Sequence, residues 1–371
     1  MTAPPFDACT GATADFNGRS FILFGGCNYL GLAQHPRVIA AVMEALTRFG
    51  LSTSASRETT GNTRIHEQLE HSITDFCGHP AGLLVPDGYI ANLAALQALG
   101  SMGFRHAVVD ARAHASLPDA AAVAGLRLHP YAHRDPLDAA RVLAACSGPA
   151  VIATDSVFAA DGALAPAPEL LAMLRPGDRL LLDDCHGLGV FGANGRGIPD
   201  EFGLRSQSLI VTTTLAKGLG CAGAIVMGAA DIVSAARARS TAYICTTPCS
   251  PALAAGAIEA ISILRHDHTL IERLRANTAR TRAVLAELFD IDPRHRAPII
   301  AFTAGSTDNM HALHRSALDA GVLAPLVEYP GGPAPVYFRL SVSAAHTPAH
   351  IDRLESALNL PQRSRTNGVR A

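Results

Sequence analysis

The chain has 371 residues, 49% of them hydrophobic and 17% charged, with 30 basic against 32 acidic side chains and a formal net charge of −2. Near-neutral charge without a basic run excludes a dedicated nucleic-acid binder, which needs a cationic surface to neutralise phosphates. No stretch approaches the roughly 18 apolar residues of a membrane span, and the length suits one large α/β domain with a smaller one.

The first residues, MTAPPFDACTGATADFNG, lack a basic head followed by an apolar core, so no secretory leader is expected and a cytoplasmic location is. Strands are predicted at Phe21–Gly25, Ala81–Val85, His106–Asp110, Leu126–Tyr131, Ala150–Asp155, Arg179–Asp184, Leu209–Thr213 and Ala224–Met227. Helical periodicity falls between them at Arg37–Phe49, His66–Phe76, Ile90–Leu99 and Pro136–Ala145. Apolar strands spaced by helices predict a mostly parallel sheet covered on both faces. Beyond Pro248–Pro251 the texture changes. A helical stretch to about Phe289 leads to strands at Ile299–Thr303 and Val336–Ser343 and a helix at Pro348–Leu358, a smaller α+β unit. The expected division is an N-terminal segment 1–35, a large domain 36–250, a small domain 251–360 and a frayed tail 361–371. The eight cysteines show no CxxC pair with metal spacing, so they read as reduced, mostly buried thiols, and no metal site is expected.

Ligands of an open parallel sheet gather at the carboxyl ends of its strands. Those ends carry Asp87–Tyr89, Asp110–His114, Asp155, Asp183–His186 and Thr214–Lys217. Lys217 is the only lysine among the 30 basic residues. A codon bias towards Arg explains the scarcity but not the exception. A lysine near apolar walls can lose its proton and form a Schiff base with an aldehyde, which arginine cannot do; the segment TTTLAKGLG is by itself equally compatible with a salt-bridged lysine. In LLLDDCHGLGVFG a strand ends on two acids and a histidine. A carboxylate at that depth is costly unless paired, and the protonated nitrogen of a pyridine ring is a suitable partner. PDGYIANLAAL follows a strand with a Gly and a helix start, a seat for phosphate, to which the Thr214 hydroxyl could add. His114, in DARAHASL, is placed either to stack on a flat ring or as an ordinary polar residue.

With these segments in order, the chain resembles the α-oxoamine synthases, a family of fold-type I enzymes that use pyridoxal 5′-phosphate (PLP). The resemblance runs from about Asn28 to Leu358. It rests on NYLGL at 28–32, HEQLE at 66–70, GY..N at 88–92, HAS at 114–116, DDCHGLGVFG at 183–192, T.AKG.G at 214–220, TTP at 246–248 and RLSVSAAHT at 339–347. It implies the aspartate aminotransferase-like fold: a mostly parallel central sheet with a smaller α+β C-terminal domain. It also implies decarboxylative condensation of an amino acid with an acyl thioester of CoA or an acyl-carrier protein. The alternative within PLP chemistry is an aminotransferase, racemase or decarboxylase. By position, Lys217 resembles the Schiff-base lysine, Asp183 the partner of the pyridine nitrogen, His186 the group near the ring oxygen and His114 the stacking histidine. Gly88, Tyr89 and Thr214 match phosphate contacts, and Asp155 a further cofactor-binding position. Thr246 and Thr247 match a segment reaching the phosphate from a partner subunit, implying a homodimer with shared sites. Arg339 and Asn28 match substrate-binding positions, Arg339 for the amino-acid carboxylate.

Four departures from the family pattern bear on the pocket. Cys27 stands where an Asn is usual, Ala159 where a Ser is usual, and Asp155 where many members have Glu. Asp87 replaces a common Ser beside the phosphate seat, where its carboxylate is expected to cap the following helix. The N-terminal arm is also shorter than in typical members.

Overall fold

The computed structural model describes residues 5–359; the tail expected at 361–371 lies outside them. Contacts cluster the chain into two units. Among the described residues, one holds Cys27–Ala159 and Ala163–Ile271; the other holds 5–26, the short Ala160–Gly162 segment and 272–359.

The larger unit is organised by a seven-stranded sheet. Across it the order is Ala81–Val85, Ala224–Gly228, Leu209–Thr214, Arg179–Asp183, Ala150–Asp155, His106–Asp110 and Arg127–Tyr131. Six strands run in one direction, and Ala224–Gly228 is antiparallel to both neighbours. The sequence gives no sign of that reversal, because a strand buried on both faces reads the same in either direction. Ala150–Asp155 and Leu209–Thr214 are buried at every position, which accounts for their unbroken apolar and hydroxyl-bearing texture. The Gly88–Ser101 helix lies against this sheet with Ala91, Ala94, Ala95 and Ala98 fully buried. Small side chains on that face bring the helix close to the strands.

Because the six strands share a direction, their carboxyl ends share an edge. Val85, Asp110, Asp155, Asp183 and Thr214 end five of them, and the polar loops that follow open on one side of the sheet. The Arg64–Cys77 helix is fixed at both ends before the first of these strands: Thr63 and His66 form a capping box, and Gly78 closes the helix in the left-handed region at φ 73°.

The smaller unit contains a three-stranded antiparallel sheet, Ile299–Phe302, Tyr337–Ser341 and Leu326–Val327. A four-stranded sheet of Ala8–Cys9, Thr13–Phe16, Arg19–Leu23 and Val322–Leu323 completes its β-structure. Phe24, Ile300, Phe302, Phe338, Leu340 and Leu354 centre its core. The strand expected at Phe21–Gly25 therefore exists as Arg19–Leu23 but belongs to this sheet, not to the parallel one. The helical stretch expected from Pro251 to about Phe289, with polar HDH at 266–268, is two helices, Pro251–His266 and Thr269–Ala286. Asp267 separates them, accepting hydrogen bonds from the backbone and hydroxyl of Thr269. The helices Ser116–Val123, Ala230–Arg239 and Thr307–Asp319 have no counterpart among the sequence expectations. No helix among the described residues is long and apolar enough to cross a membrane.

Candidate active site

The strand ends of the larger unit enclose a cavity of about 190 Å³. Its walls are Asp87, Gly88, Tyr89, His114, Ser116, Asp155, Asp183, Cys185, His186, Thr214 and Lys217. The fold thus brings together eight of the positions given a catalytic or cofactor role in the sequence, with Asp87 and Cys185 from the same strand ends. Asn28 is not among the lining residues; its side chain donates to Gln34 Oε1 at 2.8 Å and accepts from Ala33 N, within its own turn. Thr246 and Thr247 are not among them either. Thr246 donates its hydroxyl to Ala242 O at 2.7 Å, and Thr247 is exposed. Arg339 is half-buried on the Tyr337–Ser341 strand of the other unit.

Lys217 Nζ is 2.9 Å from His186 Nε2, and His186 Nδ1 is 2.7 Å from the Tyr29 hydroxyl. Two hydrogen placements satisfy this chain. A charged Lys217 donates to Nε2 while Nδ1–H donates to Tyr29; a neutral Lys217 accepts from Nε2–H while Tyr29 donates to Nδ1. Lys217 can therefore change protonation state with a tautomer switch in His186 and no movement of heavy atoms. Tyr29 is 1% exposed. It belongs to the NYLGL segment, but the apolar run around it gives no sign of a polar duty.

Asp183 ends its strand with both carboxylate oxygens engaged. Oδ1 accepts from Cys185 N at 3.0 Å and Oδ2 from Asn92 Nδ2 at 2.7 Å. Asn92 also donates to Ser116 Oγ at 2.8 Å and accepts from Thr212 Oγ1 at 2.6 Å. Asn92 closes the GY..N segment at 88–92 and stands as a lone amide in the apolar helix face of IANLAAL, but neither feature names its partner. Ser116 Oγ, accepting from Asn92, turns its proton to His114 Nδ1 at 2.7 Å, and Ser116 N also points at Nδ1. A neutral His114 consequently carries its proton on Nε2. The backbone N of His114 donates to Asp155 Oδ2 at 2.7 Å. Asp155 pairs with Asp183 in strand register. Burial, and then the neighbouring Asp183, push the Asp155 carboxyl well above the usual range.

The phosphate seat expected at the Gly88–Ser101 helix is built as an N-terminus. Asp87 Oδ1 caps it by accepting from Ile90 N at 2.9 Å. Its carboxylate is thereby turned to the helix, and the first-turn N–H groups of Gly88 and Tyr89 have no intrahelical acceptor. A Cβ at position 88 would meet Cys185 Sγ at 3.3 Å and Thr214 Cβ at 3.5 Å, so glycine keeps this wall flat. The Thr214 hydroxyl donates to Gly223 O at 3.2 Å and accepts from Ala216 N at 3.2 Å. One cavity therefore offers an anion seat at a helix N-terminus, a carboxylate held by an amide, and a primary amine. These match the phosphate, the ring nitrogen and the aldehyde of PLP, and the residues fit that cofactor.

The second acid of the Asp-Asp pair has different work. Asp184 faces away from the lining set and accepts from Ser156 Oγ at 2.5 Å and from Ile198 N at 3.3 Å. A Cβ on either Gly187 or Gly197 would overlap its carboxylate, so the glycines of the motif exist partly to enclose this side chain. Burial pushes its pKa up to about 7. A larger depression of about 620 Å³ opens near Gly78, His79, Arg205 and Gln207. Its cation is engaged elsewhere: Arg205 pairs with Asp200 at 3.4 Å and donates to Leu204 O.

Residues 19–358 match the model of the aminotransferase class I and II family. The chain is 36% identical over 361 residues to the 8-amino-7-oxononanoate synthase of Methylobacillus flagellatus, covering 94% of this chain and 89% of the relative. It is likewise 36% identical over 352 residues to the synthase of the same name from Thioalkalivibrio sulfidiphilus, covering 94% and 90%. Among solved structures, a serine palmitoyltransferase variant from S. paucimobilis with PLP and myriocin bound superposes with a TM-score of 0.89. It is 28% identical, with 95% of this chain and 89% of that chain covered.

The Asp184 environment predicts a pH signature. The folded protein holds this proton to about pH 7, whereas the ordinary carboxyl releases it near 3.8. Between those values the folded state binds the extra proton, and its stability falls as pH rises. Asp184→Asn lacks the titration. In urea unfolding at stepped pH, the stability of the variant relative to wild type should therefore rise by about 1.4 kcal/mol per pH unit from pH 4 to 7 and level off above. A difference independent of pH would contradict the assignment.

Proposed function

The chain belongs to the α-oxoamine synthase family of fold-type I PLP-dependent enzymes, and on that footing we propose that it joins an amino acid to the acyl group of an acyl-CoA. In this reaction the amino acid Cα forms a bond to the thioester carbonyl carbon and the sulfur leaves as the CoA thiol. The bond from Cα to the carboxylate breaks with release of carbon dioxide, giving an α-aminoketone. The observation that carries this reading is the Lys217–His186–Tyr29 chain in the same cavity as the Asn92-held Asp183.

PLP, when bound, supplies an electron sink for the charge that develops at Cα. Lys217 is the side-chain amine that would hold its aldehyde and then take and return the Cα proton, with His186 adjusting its tautomer to match. Asp183 would hold a proton on the ring nitrogen, and Asn92 and Cys185 N keep its oxygens aimed. His114, its Nδ1 fixed by Ser116, lines the cavity and would lay its ring on the cofactor, with Nε2–H left to meet substrate. The N–H groups of Gly88 and Tyr89 would seat the phosphate, with Thr214 turning its hydroxyl from Gly223 O to join them. Arg339 is the proposed cation for the amino-acid carboxylate.

The family's two-fold assembly is part of the same proposal, with Thr246 and Thr247 completing the phosphate seat of a partner subunit. The Pro36–Phe49 helix supports it. Ile39, Met43 and Leu46 are exposed along one face at helical spacing, Met43 to 63%, and such a stripe is a contact surface. Light scattering should give twice the chain mass, and Met43→Glu should shift the population toward monomer; a monomeric wild type would refute the shared site.

The reaction is tested by incubating the PLP-loaded enzyme with single amino acids, with and without a panel of acyl-CoAs. Free thiol should appear only when both substrates are present, in step with carbon dioxide. Pyridoxamine phosphate formed without thiol release would instead show transamination.

A further inference from the structure

The fold gathers three side chains at one edge of the central sheet that the proposed chemistry does not use. His106 opens the His106–Asp110 strand, and His129 is the middle residue of the neighbouring edge strand, Arg127–Tyr131. The parallel register sets His106 opposite Arg127 and Val108 opposite His129. Residues two apart on a strand share a face, so both imidazoles stand on the same face. Cys146 follows the Pro136–Ala144 helix and is buried, whereas both histidines are half-buried. His106 Nδ1 and His129 Nε2 are 3.0 Å apart. With Cys146 Sγ, these atoms all lie within 4.8 Å of one another, and among the described residues no other trio of His, Cys, Asp or Glu is so gathered.

Two imidazole nitrogens bound to a tetrahedral zinc ion are about 3.3 Å apart, and a nitrogen and a thiolate sulfur about 3.6 Å. Adjustments of about 1 Å or less in the side chains bring the three atoms to that spacing. Two imidazoles and a thiolate select zinc over magnesium or calcium, which take oxygen ligands. Arg175 donates to Cys146 O at 3.0 Å, and its charge is met by Asp178 at 2.7 Å; Arg127, on the edge strand itself, also faces Cys146 and His129.

We propose that His106, His129 and Cys146 form a zinc site, with water as the fourth ligand on the half-exposed histidine side. Binding displaces the thiol proton to solvent and changes no oxidation state. The ion ties the edge strand to the helix that follows it. His106 is at the opposite end of its strand from Asp110, about 13 Å along the sheet, so the site strengthens the scaffold without entering the reaction.

The test uses PLP-loaded enzyme stripped of metal by chelation and dialysis. Zn²⁺ titration should show one equivalent bound per chain and raise the unfolding temperature. Co²⁺ in its place should give tetrahedral visible bands and a near-ultraviolet thiolate-to-cobalt band. His129→Ala and Cys146→Ser should each bind Zn²⁺ at least about tenfold more weakly and lose the thermal shift, with the cobalt–thiolate band absent from the cysteine variant. Both should retain wild-type turnover and circular dichroism; His129→Gln replaces the alanine variant should that one fail to fold. Equal binding and equal thermal shift in wild type and variants, or a cobalt spectrum without a thiolate band, would overturn the proposal.

Discussion

The arrangement depends on a carboxylate held at the end of a buried strand. Taking such a group from water without partners costs at least several kcal/mol. Asp183, 5% exposed, avoids that cost through Cys185 N on one oxygen and Asn92 on the other. Asn92 is in turn fixed by Thr212 from a neighbouring strand and by Ser116, which orients His114. One buried amide thus sets the aim of the carboxylate and, through Ser116, of the histidine. Such a network is worth having only when its members are met.

The neighbouring acids show how environment divides like residues. Asp155 and Asp183 stand side by side in register, and Asp155, with its carboxyl pushed up by burial and by Asp183, accepts from the backbone of His114. Asp184, one residue from Asp183, is turned the other way, bonded to Ser156 and enclosed between Gly187 and Gly197. Strand alternation explains the split: consecutive side chains leave opposite faces. Asp183 serves the cavity, while Asp184 fixes the loop that carries His186.

Much of this was legible in the sequence. The apolar strands appear within one or two residues of their expected bounds in the central sheet, because complete burial leaves an unbroken apolar record. Lys217 was marked by composition alone, and Asp87 caps its helix as its position suggested. What escaped were features that exist only through contact. Tyr29 approaches His186 from 157 residues away, and Asn92 looks like an interruption in a helix until Asp183 is placed beside it. The reversal of Ala224–Gly228 leaves no mark on its side chains. His106, His129 and Cys146 lack any metal-motif spacing, since strand pairing rather than a short loop brings them together.

Whether Lys217 is the amine that binds PLP is decided by reducing the PLP-loaded enzyme with borohydride and mapping its peptides by mass spectrometry. A stoichiometric phosphopyridoxyl addition is expected on the peptide containing Lys217, the only lysine in the chain. An unmodified Lys217, or label confined to the terminal amine, would contradict it.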